Sequence, residues 1–382
     1  MKGKRAVVAG GSAGADGLGR RSPQRPKAVV AMSGGVDSSV AAALMVEQGY
    51  DVTGIMLKLW QEGEANIESG CCSLGAADDA RRVADRLGIP FYVLNFTERF
   101  ESSVVADFRS AYASGRTPNP CVRCNQWIKF DALLERARAM DADVLVTGHY
   151  ARVRMQGRRF RLLRGVDDNK DQSYVLWMLD QARLARCRFP VGEMNKQQTR
   201  ALASRLGLRT ATKPDSQEIC FVRGGDLGGY ISQHVVEASQ PGPVVDHEGR
   251  VVGEHRGFGR YTVGQRKGLG VALGRPVYVS AIEPSANRLV VGARADLEVT
   301  SARLEEINIV GTPLRDGQRV LVQHRAHGNV TPAHVSMSEG STKLSFERPL
   351  EAVAPGQSAA LYSVESPDEL LGGGIVASTE AA

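Results

Sequence analysis

Ala28-Val29-Val30-Ala31-Met32-Ser33-Gly34-Gly35-Val36-Asp37-Ser38-Ser39 reads as a buried strand, a glycine turn and the first turn of a helix. The apolar run is too short for a helix and fits a strand covered on both faces of a parallel sheet. Val40-Ala41-Ala42-Ala43-Leu44-Met45 then continues at helical spacing. A glycine turn between a strand and a helix offers backbone N–H groups and the positive end of a helix dipole to an anion, and two glycines let that backbone come close. The loop lacks the lysine of the Walker type, which argues against ordinary γ-phosphate transfer and for a grip on released pyrophosphate. Asp37 is placed to help coordinate Mg²⁺ beside those phosphates. A plain helix cap is the competing explanation, and the strand before the loop weighs against it.

Outward from this loop the alternation continues. Asp51-Val52-Thr53-Gly54-Ile55-Met56-Leu57 predicts a second strand, residues 76–87 a helix stopped by Gly88 and Pro90, and Phe91-Tyr92-Val93-Leu94 a third strand. Helical patterns follow over 100–112 and 130–140, and Asp143-Val144-Leu145-Val146-Thr147 leads into Gly148-His149-Tyr150. The pattern predicts a doubly wound α/β sheet with ligands at the carboxyl ends of its strands. After about Cys220 short β-branched runs such as Pro276-Val277-Tyr278-Val279-Ser280 and Arg288-Leu289-Val290-Val291 predict a β-barrel. Residues 1–26 show neither periodicity and read as a disordered extension. The expected division is 1–26, a nucleotide-binding domain over 27–220, a small central domain over 221–275 and a barrel over 276–382.

The 382 residues carry 48 Lys and Arg against 42 Asp and Glu, a net charge of +6. That balance suits a polyanionic partner without proving one. No stretch approaches the roughly 20 apolar residues of a membrane helix, so a cytoplasmic protein with no membrane partner is expected. Six cysteines in so long a chain read as catalytic, metal-binding or buried residues, not as a disulfide framework.

Thr117-Pro118-Asn119-Pro120-Cys121-Val122-Arg123-Cys124-Asn125 sets two thiols in a C-x-x-C pair between a Pro-rich turn and an amphipathic helix. Thiols at a helix start near a cation such as Arg123 or Lys129 favour the nucleophilic thiolate. Such a pair also suits metal binding or disulfide exchange, but a tetrahedral zinc site needs a second pair at good spacing. Cys220 is a third candidate, in Lys213-Pro214-Asp215-Ser216-Gln217-Glu218-Ile219-Cys220-Phe221. Cys71, Cys72 and Cys187 read as structural or incidental, the last at a surface-like helix end.

The glycine loop resembles the PP-loop signature of ATP pyrophosphatases. With Thr117 to Phe130, Thr147-Gly148-His149-Tyr150, Asn169-Lys170-Asp171-Gln172-Ser173-Tyr174, Phe189-Pro190-Val191-Gly192-Glu193, Gly264-Gln265-Arg266-Lys267-Gly268-Leu269-Gly270 and Pro355-Gly356-Gln357-Ser358, the chain resembles bacterial tRNA-specific 2-thiouridylases of the MnmA type from about residue 27 to its end. The resemblance implies an adenine nucleotide alpha hydrolase-like domain, a small tRNA-binding central domain and a C-terminal β-barrel. It implies that ATP adenylates the C2 oxygen of the wobble uridine in tRNAs for Lys, Glu and Gln, and that a persulfide sulfur displaces AMP. An oxygen at C2 leaves poorly and an adenylate leaves well, so activation precedes sulfur attack.

By motif position Cys220 matches the persulfide carrier and Cys124 the nucleophile that completes transfer. Ala31, Met32, Ser33, Gly34, Gly35, Val36, Asp37 and Ser38 match the ATP phosphate site, Leu57 the adenine contact and Gly148 another nucleotide contact. Asn119, Pro120 and Cys121 match the residues meeting the target base, which must be flipped to reach them. Lys170, Asp171 and Gln172, His149, Gln357, and Arg325 with Ala326 match tRNA contacts. The implied partners are tRNA and a sulfur donor protein, either a cysteine desulfurase or a sulfur relay. One departure stands out: familiar members carry Asp where this chain has Cys121. Three thiolates, Cys121, Cys124 and Cys220, are able to ligate a [4Fe–4S] cluster with one open iron, so persulfide and cluster routes both stand on the sequence. A PP-loop ligase of argininosuccinate synthetase-like or GMP synthetase-like type explains the loop without the Cys pair. A basic tRNA-binding module with a structural metal leaves the loop unexplained.

Overall fold

The computed structural model describes residues 25–60, 74–215, 219–326, 328–338 and 341–382. The expected extension up to residue 24 and the pair Cys71-Cys72 lie outside them. Strands β1 (Lys27–Ala31), β2 (Asp51–Lys58), β3 (Phe91–Asn95), β4 (Val144–Val146) and β7 (Cys187–Arg188) form a parallel sheet in the order β3-β2-β1-β4-β7. Its central strands are buried on both faces, as their unbroken apolar sequences require. Helix α1 (Val36–Glu47) buries Val40, Ala41, Ala42 and Met45, small enough to lie close to the sheet. Helix α2 (Leu74–Leu87) follows β2, and helical segments cover 97–113 and 120–139.

The direction of chain progression reverses between β1 and β4. Open α/β sheets bind ligands at such a switch point, outside the carboxyl ends of the strands. Here the loop after β1 is the glycine loop and the loop after β4 carries Gly148.

The β5 (Ala151–Gln156) and β6 (Arg159–Arg164) hairpin does not join this sheet. It pairs through β6 with β17 (Glu369–Ala381), Leu162 opposite Leu370. Strands β12 (Glu298–Ile309), β13 (Arg319–Gln323), β14 (Thr331–Ser338), β15 (Ser341–Glu351), β16 (Ser358–Ser363) and β17 close into a six-stranded barrel, because β12 pairs with both β15 and β17. Trp177, fully buried, lies in one apolar cluster with Val29 and Leu145 of the parallel sheet and Tyr362, Leu370 and Ile375 of the barrel. The two units therefore share a core.

Between them, β8 (Gly242–Val245), β9 (Val251–His255), β10 (Tyr278–Glu283) and β11 (Arg288–Gly292) make a separate four-stranded sheet. The runs at 276–280 and 288–291, expected in the barrel, belong to this middle sheet. Short strands announce themselves locally, but their partners are set by distant pairing that composition does not reveal. Phe221 makes edge contacts with Phe100 at 5.7 Å, Phe108 at 5.1 Å and Tyr230 at 5.5 Å, and this aromatic group shares one core with Val244, Val279 and Leu289 of the sheet. No helix among the described residues is long and apolar enough to cross a membrane.

Candidate functional site

The glycine loop is held by its own serines. The Ser33 backbone N–H donates to Ser38 Oγ at 3.1 Å, and Ser38 Oγ and Ser39 Oγ donate to the Gly35 carbonyl at 3.1 and 2.8 Å. Gly35 caps α1 without any side-chain bond, so no side chain competes for the first N–H groups of the helix. Gly34 has φ +70, and a Cβ there would lie 2.2 Å from the Ala76 carbonyl oxygen of α2. A Cβ on Gly148 would lie 2.7 Å from Ser38 N, so the loop after β4 closes directly onto the start of α1. The phosphate cradle and the Gly148 contact expected from sequence thus meet at the switch point.

Asp37 occupies the mouth of this cradle with partners the sequence did not announce. Lys196 Nζ donates to both its carboxylate oxygens, at 2.8 and 2.9 Å, and Tyr150 Oη donates at 2.8 Å. Burial and the neighbouring carboxylates keep Tyr150 a neutral phenol, its pKa pushed far up. Lys213 Nζ bonds the Gly34 carbonyl at 3.1 Å and Asp79 at 2.7 Å. Asp215 receives Lys170, Lys196 and Arg200 at 2.8, 2.8 and 3.1 Å, and those cations hold its carboxyl below the usual range against the opposing effect of burial. Lys196 opens an unremarkable surface-looking helix in the sequence. Tyr150, Lys170, Lys213 and Asp215 stood in quoted motifs, but none of those motifs pointed to Asp37.

The thiol pair sits where a helix starts. Asn119 is the N-cap, its Oδ1 accepting from Cys121 N at 3.1 Å, and Pro120 fills the first helical position. Cys121 is exposed and Cys124 half-buried; the helix loosens to π-type turns over Cys124–Leu133. The barrel clamps the approach to this cap. Thr117 N donates to the Pro355 carbonyl at 2.9 Å and Gln357 Nε2 to the Thr117 carbonyl at 2.8 Å.

Arg123, expected beside the thiols, gives its guanidinium to two carboxylates. It makes two 2.6 Å bonds to Glu306 of β12 and a 3.3 Å bond to Asp107, and lies 4.7 Å from the Trp127 ring centre. The two carboxyls respond oppositely: bonding to Arg123 lowers Glu306, whereas burial raises Asp107 despite Arg123. The shorter, two-pronged geometry makes Glu306 the stronger partner. We expect Arg123→Ala to cost about 2–4 kcal/mol, because a buried cation's removal leaves two carboxylates behind. Urea unfolding should show an earlier transition, with Arg123→Lys intermediate because it lacks the fork.

Leu57, Trp60, Cys124, Trp127 and Ile219 border one apolar cluster whose centre includes Phe221. The expected adenine contact, the second thiol of the pair and both residues flanking exposed Cys220 therefore belong to one apolar cluster. Cys187 is instead wholly buried on β7, where burial raises its thiol to about 12. This corrects the surface-like helix end and leaves Cys187 an inert core residue.

Among the expected tRNA contacts, Arg325 and Ala326 are exposed and Lys170 is half-buried. Arg325 and Gln357 come together with Gly264, Gln265 and His324 around an open cavity of about 370 Å³. Burial lowers His324 to about 4, so this wall holds a neutral imidazole beside Arg325. Asp171 is buried and bonded to Arg164, Ser173 and Gly165 N. Gln172 accepts from Tyr150 N at 3.0 Å. His149 is buried between Phe130 and Phe189 and bonded to Thr147 at 2.6 Å, its pKa lowered by burial and then by Lys129. His149, Asp171 and Gln172 thus bond within the segments 147–150 and 165–173.

Among the described residues no three His, Cys, Asp or Glu side chains converge closely enough to hold a metal ion. Cys121, Cys124 and Cys220 are therefore not gathered as cluster ligands in this conformation, and no step is derived through iron.

Three family descriptions match in succession: tRNA methyl transferase HUP domain over 26–224, tRNA methyl transferase PRC-barrel domain over 229–293, and aminomethyltransferase beta-barrel domain over 299–376. Among curated relatives, the tRNA-specific 2-thiouridylase MnmA of Roseiflexus castenholzii is 46% identical over 370 residues, spanning 92% of this chain and 99% of that protein. Those of Chloroflexus aurantiacus and Clostridium perfringens are 48% and 45% identical over 361 and 359 residues, each spanning 93% of this chain and 99% of the relative. A solved 4-thiouridine synthetase–RNA complex with bound ATP is 15% identical with a TM-score of 0.35, covering 56% of this chain and 51% of that one. With identity at this level along nearly its whole length, and with the glycine loop, thiol helix and barrel in one fold, the chain belongs to the tRNA-specific 2-thiouridylase family.

Proposed function

We propose that this protein uses ATP to exchange the C2 oxygen of a tRNA wobble uridine for sulfur, acting on tRNAs for Lys, Glu and Gln. The observation that carries the reading is that Leu57, Cys124 and the residues flanking Cys220 pack on one apolar cluster, in a fold that also presents a helix start with no side-chain cap after the glycine loop. The phrase methyl transferase in two domain descriptions points elsewhere. Methyl transfer has no use for pyrophosphate release or a pair of thiols, whereas sulfur insertion uses both.

In this reading ATP enters with Mg²⁺, and its phosphates meet the N–H groups between Ser33 and Ser38. The flipped uridine reaches Asn119, Pro120 and Cys121, and its C2 oxygen attacks the α-phosphorus, releasing pyrophosphate. A donor protein, a cysteine desulfurase or a relay carrier, loads a terminal sulfur on Cys220. That sulfur attacks C2 and AMP departs with the former C2 oxygen. Cys124 then attacks Cys220 Sγ, which forms a Cys124–Cys220 disulfide and leaves the terminal sulfur on C2; a thiol reductant resets the pair. Arg325, Gln357 and Lys170 hold the RNA, and Cys121 contacts the base in place of the acid other members use. The reactions belong to the cytoplasm, where tRNA and ATP are at hand. The test is pyrophosphate release by the purified protein with ATP: release that requires unmodified substrate tRNA supports adenylation of RNA, and release indifferent to tRNA refutes it.

A further inference from the structure

The glycine loop lacks a lysine of its own, yet two lysines from distant segments reach it. Lys196 comes from the first position of the helix Lys196–Arg205, fixed by a capping box between Asn195 and Gln198. Its ammonium, on a side chain only 12% exposed, touches both oxygens of Asp37, one oxygen of Asp215 at 2.8 Å, and the face of Tyr150 at 5.6 Å. Lys213 touches the loop itself through the Gly34 carbonyl. Lys170, Lys196, Arg200 and Lys213 thus gather with Asp37, Asp79, Asp167 and Asp215 beside a positive helix end. A phosphate chain, more highly charged than a single carboxylate, is able to compete with Asp37 and Asp215 for Lys196.

Resting on the nucleotide reading above, we infer that Lys196, seconded by Lys213, is the cation that binds the β- and γ-phosphates and the departing pyrophosphate. Asp37 and Asp215 are its counterions in the absence of nucleotide. The lysine supplies from another helix what a Walker loop carries in its own sequence, and it stabilises charge on the leaving pyrophosphate, where positive charge accelerates phosphoryl chemistry. It is also a point charge on a flexible stem, able to swing from a carboxylate to a phosphate without displacing the helix. A structural lysine, by contrast, serves ATP and AMP alike.

The experiment is calorimetric titration of the full chain with ATP, with pyrophosphate and with AMP. For Lys196→Ala we expect ATP and pyrophosphate affinity to fall about 10- to 100-fold, the size of a lost charge-assisted bond, while AMP affinity holds within about twofold. Lys196→Arg should recover most of the pyrophosphate affinity, and it guards against a folding defect in the alanine variant. Asp215→Asn should leave pyrophosphate affinity unchanged or raise it, because it removes a competitor for Lys196. Equal losses for ATP and AMP in Lys196→Ala, or wild-type pyrophosphate affinity in that variant, overturn the inference while leaving the nucleotide reading intact. A wild-type protein that binds neither ATP nor pyrophosphate overturns the reading itself.

Discussion

Replacing Cys220 with alanine leaves ATP affinity at the wild-type level and reduces 2-thiouridine formation below detection. The reason is chemical: without Sγ at this position no persulfide forms, and nothing else in this reading carries sulfur to C2. The exposed side chain adds little to the core, so the loss is not one of folding. Cys124→Ala should be equally inactive at a later point. The sulfur reaches C2, but Cys220 stays joined to it, and a covalent protein–tRNA adduct that is cleaved by added thiol should accumulate. Electrophoresis with and without reductant distinguishes the two variants. Retained turnover in either variant contradicts the division of labour proposed for them.

The second large effect is expected at Gly34, where Ala should abolish measurable ATP binding. A non-glycine residue with φ near +70 costs about 1–2 kcal/mol. The steric problem is larger, since the added methyl meets a backbone oxygen of Ala76 at 2.2 Å and no rotamer change can relieve it. Loop or helix α2 must move, and the N–H groups that face phosphate move with it. Transfer RNA binding, placed on Lys170, Arg325 and Gln357 in this reading, should persist within about twofold. ATP affinity equal to wild type in Gly34→Ala would show that the loop does not hold the nucleotide.

What was legible in the sequence was local. The strand, glycine turn and helix at 28–45 lie within one stretch, so periodicity and turn chemistry define them without reference to the rest of the chain. The thiol pair was expected ahead of its helix, which instead begins at Pro120 with Asn119 as its cap. What escaped was long-range. Lys196 lies 159 positions from Asp37 along the chain, and no local pattern marks it as a partner. The β5–β6 hairpin alternates like many hairpins, but its pairing with β17 depends on residues some two hundred positions later. Arg123 has a further partner that adjacency to the thiols did not announce, Glu306 in the barrel, which makes it a tie between units. Cys187 followed a polar helix and looked superficial, because the two-residue strand that buries it is too short to recognise before β4 is placed beside it.

Cys121 remains distinctive. It is exposed at the first turn of the thiol helix, bonded through its backbone to the cap, and not assembled with Cys124 and Cys220 into a metal-holding group.

The most direct measurement of the central claim is product stoichiometry in one reaction. Purified protein, unmodified substrate tRNA, ATP and a sulfide or persulfide donor are combined, and nucleosides and nucleotides are quantified together by mass spectrometry. The account predicts 2-thiouridine, AMP and pyrophosphate in equal amounts, with none formed when ATP is withheld. Thiolation without ATP, or ADP and phosphate in place of AMP and pyrophosphate, would contradict it.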